Sequence, residues 1–258
     1  MSHPKHYLLL LLLLLLPSIV FAHQWQAQSG DKQLAVLELF TSEGCGLCPA
    51  ADRWIEKLPH EGLTEDNVIV LGFHIDYLND KKGWIDKYAK SEYSDRQRQL
   101  AQLNLYQSVY TPEFIIGGEV IHNWKKHAKK VIKAVNGFEA EASISLKVDL
   151  SAEQLEIQSQ VTILSNENRQ YSKLYLAIIE DNISNKVYGG DNAGTTFNHQ
   201  NLVRRWIGPI ELDNNGESDV LTELAIDEQW DLEQISVVAV VQNLNDGFVL
   251  QGLVLPLQ

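Results

Sequence analysis

Leu34-Ala35-Val36-Leu37-Glu38-Leu39-Phe40-Thr41-Ser42-Glu43-Gly44-Cys45-Gly46-Leu47-Cys48-Pro49-Ala50-Ala51-Asp52 is the stretch on which the reading of this chain turns. Leu34 to Phe40 is a short apolar run of the kind a buried strand leaves, and it ends at Thr41-Ser42-Glu43-Gly44. Pro49 to Leu58 reads as a helix, since a proline suits the first turn, where its missing N–H is not needed. Cys45 and Cys48 are the only cysteines in the chain, and they fall between that strand and that helix. A thiol at a helix N-terminus faces unpaired N–H groups and the positive end of the helix dipole. Both favour the thiolate, the nucleophile of disulfide exchange. On this geometry Cys45 is the nucleophile, while Cys48, expected one turn inside the helix and more buried, is the resolving thiol.

Two other readings of the pair stand beside the redox one. A zinc half-site needs about four ligands, and His74, His122, His127 and His199 sit at no recognisable ligand spacing. An inert structural disulfide is a poor staple here, because so short a loop removes little unfolded-state entropy. Redox exchange is the reading preferred, with a disulfide between Cys45 and Cys48 and neither a metal nor another cofactor expected.

Outward from the motif, Asn67 to Ile75 is a second buried strand, and strand–helix–strand favours two parallel strands with a crossover helix. Residues 77–109 are mostly helical in composition. Thr111-Pro112 interrupts them, and Glu113–Ile116 with Glu119–Ile121 form a hairpin around Gly117-Gly118. Trp124 to Val135 reads as a closing helix whose lysines make a solvated face. From residue 141 the period changes to strict alternation through Ala142, Ile144, Leu146, Val148 and Leu150. Leu155–Ile157, Leu174–Ile178, Val237–Val241 and Phe248–Leu255 continue it as strand candidates. The expected architecture is an α/β thioredoxin-like domain over 34–137 followed by an all-β, sandwich-like domain over 141–258. Residues 23–33 read as a loose polar leader.

The N-terminus carries Lys5, nine leucines from Leu8 to Leu16, Pro17 and then Val20-Phe21-Ala22. That is the layout of a secretory signal peptide over residues 1–22, cleaved after Ala22. The run is shorter than the roughly 20 apolar residues of a membrane span, so no span is expected after signal removal. A periplasmic or secreted location follows. The formal net charge of −13 becomes one unit more negative when Lys5 leaves, which argues against nucleic acid and anionic membranes as partners. Met1 is the only methionine and leaves with the signal, which excludes a methionine-ligated copper or haem site.

The segment Glu38 to Asp52 resembles the defining motif of a secreted bacterial family known as domain of unknown function 1223, within the thioredoxin-like superfamily. Phe73-His74-Ile75-Asp76-Tyr77, Gly83-Trp84, Arg96-Gln97, Val109-Tyr110-Thr111-Pro112, Asn198-His199 and Leu202-Val203-Arg204 are similar to it as well, so the resemblance spans nearly the whole mature chain. It implies a thioredoxin-like fold, an envelope or secreted location and no established substrate. It also implies that Pro112 is a cis proline beside the thiols, with Thr111 preceding it.

His74 and Asp76 follow the second strand at the end expected to face the cysteines, where they would tune a thiol, relay a proton or simply finish the strand. Glu43, two positions before Cys45, opposes thiolate formation if it lies near. Gly46 and Leu47 bring neither a side-chain donor nor a charge. The helix dipole then contributes about 0.3–1 kcal/mol, too little for a strong oxidant. A potential nearer about −270 mV than about −120 mV is expected. The functional expectation is an exported thiol–disulfide oxidoreductase of the reductase or isomerase type. It would act on protein or small-molecule disulfides and need an envelope redox partner. The alternative is a non-enzymatic envelope binding module on a thioredoxin-like scaffold.

Overall fold

The computed structural model describes residues 23–258 other than Lys82 and Ala152; the signal segment expected at 1–22 lies outside the described residues. Strand β1 (His23–Gln28) is followed by β2 (Ala35–Thr41), helix α1 (Pro49–Lys57) and β3 (Val68–His74). Every residue of β2 and β3 is buried, which is why each reads as an unbroken apolar run rather than an alternation. The two pair in parallel, from Ala35 opposite Val68 to Thr41 opposite His74, with α1 as the crossover. Next come α2 (Ser91–Leu103), the hairpin β4 (Glu113–Ile116) and β5 (Glu119–Val120), and α3 (Trp124–Val135). Strand β4 lies antiparallel on the other side of β2, with Glu113 opposite Phe40, so Pro112 stands in register with the end of β2. The Thr111–Pro112 bond is cis.

The rest is strand: β6 (Ala142–Leu150), β7 (Gln154–Ile163), β8 (Ser172–Glu180), β9 (Ile183–Lys186), β10 (Thr196–His199), β11 (Leu202–Glu211), β12 (Glu217–Ala225), β13 (Ile235–Asn243) and β14 (Val249–Pro256). Eight strands form one sheet in the order β14-β13-β8-β11-β3-β2-β4-β5. A second sheet runs β1-β6-β7-β12, and β9 and β10 pair with each other as a separate hairpin.

One face of the large sheet carries Val36, Phe40, Ile69, Leu71 and Phe73 together with Tyr175, Ala177, Val238 and Val240, packed against Tyr93 and Leu100 of α2. The opposite face is covered at one end by α1 and α3, through Ala51, Ile55, Ala128 and Ile132. At its other end the second sheet covers it, with Ile144, Leu146 and Ile157 meeting Leu176, Val237 and Leu255.

Three expectations are corrected. The division expected between 137 and 141 does not divide the sheet, because β11 joins β3 in parallel at Leu202 and Gly72 and so carries the later strands onto the earlier ones. Burial explains the seam, since β3 is apolar on both faces and cannot be left as an edge. Residues 23–33 are not a loose leader: β1 pairs antiparallel with β6, and Trp25 and Ala27 rest on the core between the sheets. In the segment 77–109 only Ser91–Leu103 is helical. Turns centred on Asp80 and Gly83, both with positive φ, break the earlier part and carry Trp84, Asp86 and Tyr88 inward.

Gly118 gives a direct check on this packing. It has φ 97°, and a Cβ built there would lie 1.8 Å from the carbonyl oxygen of Gly247. Gly118→Ala must push the β4–β5 hairpin off the turn between β13 and β14. A loss of about 2–4 kcal/mol is expected in urea unfolding. A variant within about 0.5 kcal/mol of the parent, the usual range for a neutral surface change, contradicts the contact.

Candidate functional site

The loop from Thr41 to Cys48 leaves the buried end of β2 and turns twice before α1 begins. Cys45 N–H donates to the Ser42 carbonyl (3.0 Å) and Cys48 N–H to the Cys45 carbonyl (3.1 Å). Cys48 is the N-cap of α1 and Pro49 its first residue. The expectation that Cys48 sits a turn inside the helix is therefore corrected: both thiols precede it, because the Cys45–Cys48 segment closes as a turn and Pro49 starts the helix. The order of burial is as the chain position suggests, with Cys45 7% exposed and Cys48 fully buried. The two are joined as a disulfide across a Cα–Cα distance of 5.3 Å.

Behind the turn lies a buried polar network. The Glu43 carboxylate does not face solvent beside Cys45; it is fully buried. Its Oε1 accepts from Asn185 Nδ2 (2.6 Å) and His199 Nε2 (3.0 Å), and its Oε2 from the Trp84 indole (3.0 Å). The Glu43 N–H donates to Asp86 Oδ2 (2.8 Å), which also meets His74 Nδ1 at 2.7 Å. The imidazoles of His74 and His199 stand edge to face with centroids 4.6 Å apart.

These contacts push the two histidines opposite ways. Burial lowers the pKa of His74, but the Asp86 carboxylate and its hydrogen bond outweigh that, and the net shift is upward. Asp86 is correspondingly held below the carboxylate range despite burial, chiefly by the charge of His74. Burial takes His199 below its ordinary value, the Glu43 hydrogen bond notwithstanding, so it is a neutral imidazole donating from Nε2.

Asp52, on the first turn of α1, completes the group. As a residue it is half-buried, yet its Oδ2 is sealed from solvent without a hydrogen-bond partner. That oxygen belongs to a residue lining a cavity of about 10 Å³ with Thr41, His74, His199 and Gln200. Burial raises its pKa to about 7, against the opposing pull of His74.

Of the residues singled out in the sequence, Cys45, Cys48, Glu43 and His74 come together, and Thr111-Pro112 lies in register with the strand end that feeds the loop. Asp76 does not join them: its N–H donates to Ser94 Oγ (3.1 Å), and that hydroxyl returns a bond to its carboxylate (2.5 Å). Sequence reasoning missed Asp52, Asp86, Asn185 and Asn192. Asp52 was within reach, four residues after Cys48 and so one helical turn from it. The two asparagines belong to the hairpin β9–β10, which no local pattern ties to the cysteines. Among the described residues no group of three or more His, Cys, Asp or Glu is placed to hold a metal ion, and no helix is long and apolar enough to cross a membrane.

The family described as "Protein of unknown function (DUF1223)" matches residues 36–242. An X-ray structure of a protein from Agrobacterium tumefaciens is similar with a TM-score of 0.60 and 18% identity, over 89% of this chain and 97% of that one. HBP35 of Porphyromonas gingivalis is similar with a TM-score of 0.67 and 17% identity, over 88% of this chain and 76% of that one. None of the curated proteins matches.

Proposed function

We propose that this chain, which belongs to the DUF1223 family, is an exported thiol–disulfide oxidoreductase of thioredoxin-like fold whose redox centre is Cys45 and Cys48. One observation carries the reading: a Cys-x-x-Cys disulfide closes the turn between a buried strand and a helix N-terminus, with Cys48 as the N-cap. A helix N-terminus stabilises thiolate, and the first cysteine, though buried, is the less buried of the two, the order exchange requires. The parallel β2–α1–β3 unit, with β4 antiparallel beside β2, supports the fold assignment. The apolar leader at residues 1–22 supports a periplasmic or secreted location, where disulfides persist.

In the reduced protein the Cys45 thiolate attacks one sulfur of a substrate disulfide. That S–S bond breaks, the other substrate sulfur leaves as a thiolate, and a mixed disulfide forms. Cys48 then gives up its proton and attacks the Cys45 sulfur, which releases the second substrate thiol and closes Cys45–Cys48. The substrate gains two electrons and two protons, and an envelope reductant must restore the pair. Gly46 and Leu47 bring neither a side-chain donor nor a positive charge to the thiolate. The centre therefore suits a reductase or isomerase.

The test is turnover of an insulin-like disulfide substrate by the reduced protein. Cys45→Ser is expected to abolish it, and Cys48→Ser to accumulate a mixed disulfide through Cys45. Undiminished turnover in Cys45→Ser, or none in the parent, removes the oxidoreductase reading. A non-enzymatic binding module is the second reading, and the low exposure of both cysteines favours it.

A further inference from the structure

We propose that Asn192 is a positioning residue: it latches the β9–β10 hairpin over the thiol turn, and the latched hairpin decides which partners reach Cys45. The meaning for turnover rests on the redox reading above, whereas the latch itself is read from the chain's own disulfide.

Among the described strands, β9 and β10 hydrogen-bond only with each other, so side chains and loops hold the hairpin to the molecule. Asn192, in the connection between them, has its amide buried against the turn. Its Nδ2 donates to the carbonyl oxygens of Glu43 and Cys45, each at 2.8 Å. An amide nitrogen has two hydrogens, and both are spent here. The Cys45 carbonyl also receives the Cys48 N–H, so the latch acts on the bond that closes the turn. Asn185 and His199, from the same hairpin, grip the Glu43 carboxylate on the other side. The residues between the thiols lie against the hairpin too: a Cβ on Gly46 would meet Asp191 Oδ2 at 3.0 Å. The result is a thiol pair with Cys45 only 7% exposed beneath a cap.

A disulfide partner must therefore displace the cap. Leu47 and Tyr188, both about three-quarters exposed at the turn and on the hairpin, offer apolar contact for doing so. The partner this arrangement fits is a polypeptide presenting apolar side chains next to its disulfide.

The experiment follows reduction of the native Cys45–Cys48 bond by tris(2-carboxyethyl)phosphine. Phosphorus attacks one sulfur and the S–S bond breaks; water gives its oxygen to the phosphine oxide and its two hydrogens to the two thiols. Asn192→Ala is expected to react about tenfold faster than the parent, since two buried hydrogen bonds hold the closed state. Ile144→Val, in the core between the sheets, loses stability without touching the cap and is expected to react at the parental rate.

Asn192→Asp keeps the shape and inverts the latch. Its carboxylate repels the two carbonyls at about pH 7.5; burial against those two oxygens raises its pKa, so its protonated form, which donates one bond, gains toward about pH 5 and the rate advantage shrinks. Glu43, Asp191 and His199 face this position, with His74, Asp86 and Asp52 behind them. Their own titrations are common to both proteins, and the neighbouring Glu43 and Asp191 carboxylates oppose a new negative charge, which raises the pKa of the introduced acid in the direction this test needs. Should the alanine variant not fold, the aspartate variant decides. Rates within about twofold of the parent at both pH values overturn the proposal, even if melting temperature falls. Faster reduction without turnover of any protein disulfide leaves the latch in place and removes the enzyme reading instead.

Discussion

Arg96→Met is expected to cost about 3–5 kcal/mol in urea unfolding at neutral pH, the penalty for leaving a carboxylate buried and unpaired. Arg96 projects from α2 to Glu38 in the middle of β2, with Nε 2.9 Å from Oε2 and Nη2 2.8 Å from Oε1. Both side chains are sealed, at 1% and 2% exposure. Tyr175 and Trp206 lie against the guanidinium at 4.9 and 5.2 Å, so the charge is held between a carboxylate and two ring faces contributed by later strands. The pair is costly to break and cheap to replace whole: Glu38→Leu with Arg96→Met is expected to recover most of the loss, because no unpaired ion then remains. A double variant as unstable as Arg96→Met alone would show that shape at this position, not charge, sets the stability.

The second large effect is pH-dependent and belongs to Asp52. Its carboxyl titrates at about 7 in the folded chain, against 3.8 for an unperturbed aspartate, so the native state holds the proton more tightly. Below the unfolded pKa both states are protonated and the contribution is complete; it is lost as pH rises through the folded pKa. Each tenfold difference in proton affinity between the two states is worth about 1.4 kcal/mol. Asp52→Asn removes that loss and is expected to be about 2–4 kcal/mol more stable than the parent at pH 8, with little difference near pH 4. His74 also loses stabilisation as pH rises through its raised pKa, and it does so in both proteins. Stability curves that stay parallel from pH 4 to pH 8 contradict a buried, protonated Asp52.

What could be read from residues alone follows the range of the interactions. The strand before Cys45, the helix after Cys48, the second buried strand and the Gly117-Gly118 hairpin are local patterns, and each has its counterpart. The alternation from Ala142 to Leu150 was equally plain, since one face meets the core and the other solvent. Strand β1 was missed because its residues are polar except for Trp25 and Ala27, and it becomes a strand only through pairing with β6. The seam at Gly72 and Leu202 has one faint local mark, a glycine inside an apolar strand, where a Cβ would lie 3.2 Å from the Asn201 carbonyl oxygen. Glu43 shows the limit most clearly. Its chain position suggested a charge beside the thiol, but its partners Asn185 and His199 lie 142 and 156 residues later, and they turn the carboxylate away from the cysteines.

The distance along the chain between Cys45 and its latch gives the molecule an early life different from its later one. Asn192 follows Cys45 by 147 residues, an interval of roughly 7–30 s at a synthesis rate of about 5–20 residues per second. Throughout that time the segment that covers Cys45 in the finished fold has yet to be made. An oxidant that meets the chain before the hairpin docks finds the thiols uncovered; one that meets the finished fold must first displace the hairpin.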